Sequence, residues 1–187
     1  MPRLPYPDAK TLPDDIRARL SGAAPNVSRM LVGASPGVYR GFAAFSRSLF
    51  TETSLPPQLR EIAILRVGYL SNAAYEVFQH EAYARHVGLS EAQIDAIRQA
   101  GDKTALLGEV GSAVLAFTDE LVRNVRPSDA SLAGVRAHLP DNLVIDLIFV
   151  VGAMIMTAGV LINLMLREIP LRGHSSTEPV APPVEAI

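Results

Sequence analysis

From Leu143 to Leu166 the chain is almost entirely apolar, with Asp146, Thr157 and Asn163 as its polar exceptions. A helix built on such a run must be buried among other helices or cross a bilayer, for which about 20 apolar residues suffice. Three features favour burial. Asp146 falls near the first turn, no basic cluster marks a cytoplasmic flank, and the remaining pattern is that of a helical domain facing water. A helix apolar all round is also what a core or a subunit interface requires. Gly152, Ala153, Ala158 and Gly159 would permit close helix approach in either setting. The expectation is a buried helix capped by Asp141, with a membrane span as the alternative.

The other boundaries are compositional. A chain of 187 residues can bury a sizeable core in one domain. Its net charge is −2 with Lys and Arg scattered, so there is no basic footprint for nucleic acid. It contains no cysteine, which excludes disulfides, thiolate metal sites and thiol catalysis together. The first residues, MPRLPYPDAKTLPDD, lack the apolar stretch of a secretory signal, and a cytoplasmic protein is expected. The mean hydropathy of +0.22 is high for a lone soluble domain, so self-association is expected as well.

Helical patterning runs through most of the chain. Residues 1–24 read as an arm and a short helix (Leu12–Ser21), residues 25–170 as the helical domain, and residues 171–187 as a flexible tail. Asn26–Val32 and Pro36–Leu49 are helical stretches, the second with Val38, Tyr39, Phe42, Phe45 and Leu49 on an apolar face. Ser90 with Gln93 forms a capping-box pattern, Gly111–Val125 is amphipathic, and Ser128–His138 follows.

The densest chemistry lies between Leu55 and Gly88. A first helix, opened by Pro56 and Pro57, carries Glu61, and Gly68, Ser71 and Asn72 break it. Asn72 is the expected N-cap of a second helix, on which Ala73, Glu76 and His80 share a face. On one continuous helix Glu61 would stand about 100° off that face, so it meets His80 only if the chain turns at the break. Glu76 one turn before His80, sheltered by Tyr75, Phe78 and Tyr83, makes a workable acid–base pair. By spacing alone, a solvated surface pair is the commoner reading. Metal binding is disfavoured, because helical di-iron sites need Glu-x-x-His twice and the spacing here is i,i+4 and single. Arg60 and Arg66 flank Glu61 and could meet a substrate carboxylate, though helix arginines are more often solvated. His86 and His138 read as surface residues, and His174 lies in the tail.

Leu59–Val67, Tyr75–His80, Ala84 and Gly88-Leu89-Ser90 resemble the core of the carboxymuconolactone decarboxylase family, the all-α group that includes the alkyl hydroperoxidase D proteins. The family pattern is a glutamate on one helix and Cys-x-x-Cys-x-x-x-His on the next. Glu61 and His80 fall on its glutamate and histidine, and Ala73 and Glu76 on its cysteines. The resemblance implies an orthogonal all-α domain of about six to eight helices, packed in dimers, trimers or hexamers. Without cysteine the family's peroxidase chemistry has no thiol to run on. The resemblance then points to the acid–base branch: a lyase or isomerase without cofactor or metal, acting on a small carboxylated or enolisable compound. His80 would be the general acid, with a pKa near neutrality, Glu76 its modulator and Glu61 its orienting partner. Tyr75, Tyr39 and Phe42 would line the substrate site. The alternative is a non-catalytic small-molecule-binding or oligomeric interaction protein on the same fold. No nucleic acid or membrane partner is expected.

Overall fold

The computed structural model describes residues 4–20, 26–99 and 101–162. The expected tail, His174 and the last residues of the apolar run lie outside them. Nine α-helices and no strand occur among the described residues, one helix more than the expected range. The chain divides into two units, one of Met1–Thr53 with Leu164–Ile187 and one of Ser54–Asn163.

In the first unit, α1 (Asp14–Ala18), α2 (Asn26–Leu31) and α3 (Pro36–Thr51) follow a 3-10 turn at Ala9–Thr11. Ile16, Val32, Tyr39 and Ala43 form its core. On α3 the buried face is Tyr39, Ala43, Ser46 and Leu49, at helical spacing. Val38, expected on that face, is exposed, because it stands about 100° round the helix from Tyr39.

The second unit is organised around α4 (Pro57–Leu70), which is buried continuously from Arg60 to Gly68. Around it pack α5 (Ala74–His86), α6 (Glu91–Arg98), α7 (Thr104–Asn124) and α9 (Asp141–Met154), with α8 (Asp129–Arg136) against α7. A helix enclosed on all sides must satisfy its polar side chains internally. Arg66 shows how this is done. Its Nη2 donates to Asp119 Oδ2 at 2.8 Å, its Nε also meets Asp119, and its Nη1 lies 2.9–3.2 Å from the carbonyls of Ile97, Arg98 and Gln99. One guanidinium thereby joins α4, α7 and the open C-terminal end of α6. It is a tie within the core.

Local signals account for several helix ends. Ser90 and Gln93 form the expected capping box of α6. At Gly108 (φ 70°, ψ 175°) α7 leaves helical geometry, so it is a short turn followed by the amphipathic helix anticipated near Gly111. Thr118, inside that helix, is buried with its hydroxyl on the Val114 carbonyl at 2.8 Å. Pro140, not Asp141, is the N-cap of α9; Asp141 sits in the first turn and accepts from Arg136.

The apolar run also differs from its expected form. Helix α9 ends at Met154 and continues as a π-helical segment, Ile155–Ile162. Val144, Leu147, Val150, Val151 and Met154 face inward, while Ile145, Ile148, Phe149 and Met156 are exposed. The helix buried all round is thus α4, and α9 packs through one face only. Asp141–Ala158 is long and apolar enough to cross a membrane, but its inward face is part of the core around α4.

Candidate functional site

The corner between α4 and α5 builds the site. The Ala73 N–H donates to the Gly68 carbonyl at 2.9 Å, and Asn72 adopts φ 52°. Asn72 is therefore the left-handed residue of the corner, a conformation asparagine tolerates, and Ala73 takes the N-cap position without a side-chain cap. A Cβ at Gly68 would stand 3.0 Å from Val77 Cγ2, so glycine lets α5 lie close along α4.

That close approach brings together the acid–base residues. His80 Nδ1 lies 2.7 Å from Glu61 Oε2, and His80 Nε2 lies 3.2 Å from Glu76 Oε1. The imidazole is held at both nitrogens by carboxylates from two helices. Glu61 has no exposed side-chain surface, whereas the side chains of His80 and Glu76 keep 10% and 11%. Nδ1 therefore meets the fully enclosed carboxylate and Nε2 the one that keeps some exposure. Arg60 Nε lies 3.7 Å from the second oxygen of Glu61.

Burial works against a charge on His80, but the adjacent Glu61 carboxylate outweighs it, with Glu76 adding to the effect. The imidazole is raised from 6.5 to about 10. A value near neutrality was the expectation; two buried carboxylates at hydrogen-bond distance are the reason it fails. At pH 7 His80 is an imidazolium donating one N–H to each carboxylate. In that state it has no lone pair directed at a metal.

The remaining candidates fall in different places. Tyr75 is half-buried in the first turn of α5. Phe78 is exposed. Tyr39 and the half-buried Phe42 belong to the other unit, where Tyr39 is part of that unit's own core. Arg60 is buried beside Glu61, and His86 is exposed.

Tyr83 was read from the sequence only as shelter, but it stands beside the charges. Its ring centroid lies 5.9 Å from that of His80, with 41° between the planes. Burial, reinforced by the Glu61 charge, pushes its hydroxyl up to about 12. Its position three residues after His80, on the same side of α5, was the available signal. Two surface cavities, one beside Glu120, Arg126 and Ser128 and one beside Asp102, Glu109 and His138, include none of these site residues.

Residues 36–119 match the model of the carboxymuconolactone decarboxylase family. Over those residues the chain is similar to that family. The match spans Glu61, Glu76 and His80. Two crystal structures share the fold. One is an alkylhydroperoxidase AhpD core, an uncharacterized peroxidase-related protein from Ralstonia eutropha. It is 22% identical over 89% of this chain and 91% of its own, with a TM-score of 0.72. The other is a protein of unknown function from Agrobacterium tumefaciens, suggested to act in antioxidant defence as an AhpD. It is 21% identical over 74% of this chain and 94% of its own, with a TM-score of 0.63. At these identities the likeness is one of fold. No curated protein matches the sequence. Against the family's paired cysteines, this chain sets a fully buried Ala73 and the carboxylate of Glu76.

Proposed function

We propose that this chain is a cofactor-independent acid–base enzyme, a lyase or isomerase acting on a small carboxylated or enolisable compound, and that it is not a thiol peroxidase. The observation that carries the reading is the imidazole gripped at both nitrogens by carboxylates of α4 and α5. A charged His80 with its Nδ1–H fixed on Glu61 can release only the Nε2 proton, on the side of Glu76. In a decarboxylation, the substrate's C–CO2 bond breaks and its electron pair delocalises into an adjacent enolate. The Nε2 proton then passes to carbon, carbon dioxide leaves, and water restores the proton. In an isomerisation the same group donates, and Glu76 is placed to accept. Glu61 holds the ring's orientation throughout. The absence of any thiol from the 187 residues supports the exclusion of peroxidase chemistry.

The test is carbon dioxide release from γ-carboxymuconolactone by the purified protein, run beside His80→Ala. Turnover that disappears in the variant supports the lyase reading and the role of His80 together. No release from the wild type removes that substrate. Failure over a panel of enolisable acids leaves the alternative, a small-molecule-binding protein on the same fold. We further propose that the chain self-associates through the outer face of α9 and the segment after it, where Ile145, Ile148 and Met156 stand exposed.

A further inference from the structure

Glu76, His80 and Tyr83 occupy one side of α5, at i, i+4 and i+7. The first two are paired, and the third is not. The Tyr83 hydroxyl is buried and has no hydrogen-bond partner among the described residues, and the same is true of Glu61 Oε1. Burying a hydroxyl without a partner is unfavourable, and native structures seldom leave one so. Tyr69 provides the contrast. Its hydroxyl, on the neighbouring helix, donates to Glu81 at 2.9 Å and Arg98 stacks on its ring, so its polar end is fully used.

We propose that Tyr83 contacts the substrate, its hydroxyl donating to a neutral carbonyl oxygen, as of a lactone, ketone or ester, held next to His80. This rests on the acid–base reading of the same cluster and narrows its substrate class. The choice of a neutral acceptor follows from charge. The Glu61 carboxylate lies close enough to oppose ionisation of the Tyr83 hydroxyl, and it opposes a substrate carboxylate at that spot by the same repulsion. A carbonyl oxygen escapes that penalty and supplies the acceptor that the hydroxyl lacks. The carboxylate of a carboxylated substrate then lies away from Tyr83. Because the hydroxyl stays protonated to about 12, it remains a donor wherever the enzyme would work.

Two probes of nearly one shape test this without turnover. Acetophenone presents a neutral carbonyl, and benzoate presents a carboxylate on the same ring. Their dissociation constants are measured by ligand-observed NMR on the full-length wild type and on Tyr83→Phe. The expected result is that acetophenone binds the wild type and binds Tyr83→Phe about five-fold more weakly, while benzoate affinity does not fall. The His80 ring resonances should titrate alike in both proteins, which separates a contact with ligand from a rearranged site. Unchanged acetophenone affinity in Tyr83→Phe overturns the proposal, as does an equal loss for benzoate or no binding of acetophenone by the wild type. Tyr83-dependent ketone binding without turnover on any enolisable acid would remove the enzyme reading and leave this contact standing. Turnover with unchanged ketone binding would do the reverse.

Discussion

His80 Nδ1 stands 2.7 Å from Oε2 of Glu61, nineteen residues earlier in the chain and on another helix. An ion pair formed with one partner wholly out of water is strongly attractive and expensive to break, since either charge left alone has no solvent to stabilise it. The folded state thus carries a proton on His80 that the unfolded chain would release near neutrality.

The sign of the resulting pH dependence is fixed by that proton. The folded pKa of His80 is raised from 6.5 to about 10, so the pairing stabilises the fold fully below about pH 6.5 and is lost as pH rises through about 10. Thermal melts of the wild type should fall over this window. Glu61→Gln should flatten that fall and cost about 3 kcal/mol at pH 7. Glu76→Gln should do less, because its contact is longer and partly exposed. A Glu61→Gln profile parallel to the wild type would show that Glu61 does not set the His80 proton.

Removing the imidazole leaves the opposite problem. His80→Ala strands the Glu61 carboxylate in the interior, at a cost of about 3–5 kcal/mol. Adding Glu61→Gln to His80→Ala should therefore recover stability at pH 7, although it removes a second native group. Urea denaturation of the two variants decides the matter. A double variant less stable than His80→Ala would mean that Glu61 is not held as a charge.

Arg66 should tolerate no conservative replacement. Lysine keeps the charge but loses the paired contact with Asp119 and cannot serve that carboxylate and the three carbonyls at once. Arg66→Lys should destabilise by about 2–4 kcal/mol. Amide exchange should quicken most at the end of α6, near Arg98 and Gln99. Uniform exchange behaviour would show that the guanidinium does not hold that end.

The outer face of α9 gives a prediction about size. Sedimentation of the wild type should show an oligomer, and Ile145→Glu should dissociate it with less than about 0.5 kcal/mol lost from the folded chain, as at an ordinary surface position. A wild type that sediments as a monomer at all concentrations would exclude this face as an interface.

The pairing of Glu76 with His80 was legible because it depends on spacing within one helix, whereas the arrival of Glu61 beside them depends on a turn that the break allowed and did not require. The corner was half legible: Gly68 and Asn72 announced a break, but Asn72 bears a left-handed φ instead of capping the helix, a choice made by the close packing of Val77 on Gly68. Which helix would be enclosed was not legible. Helix α4 carries Arg60, Glu61 and Arg66 and so looks less apolar than α9, yet Arg66 and Glu61 meet partners distant in sequence, Asp119 and His80. Tyr83 was hidden for a related reason. A hydroxyl without a partner is a property of everything around it, and no residue type announces it.

The corner at Ser71-Asn72-Ala73 has one more consequence. It acts as a counter. One residue inserted there would turn α5 by about 100° and advance it by about 1.5 Å, carrying His80 off Glu61 while leaving both helices and their composition intact. Exchanging other side chains on these two helices, by contrast, leaves the place where the proton is held unmoved. What fixes that place is a distance along the chain, and the chemistry is set by the residues measured off along it.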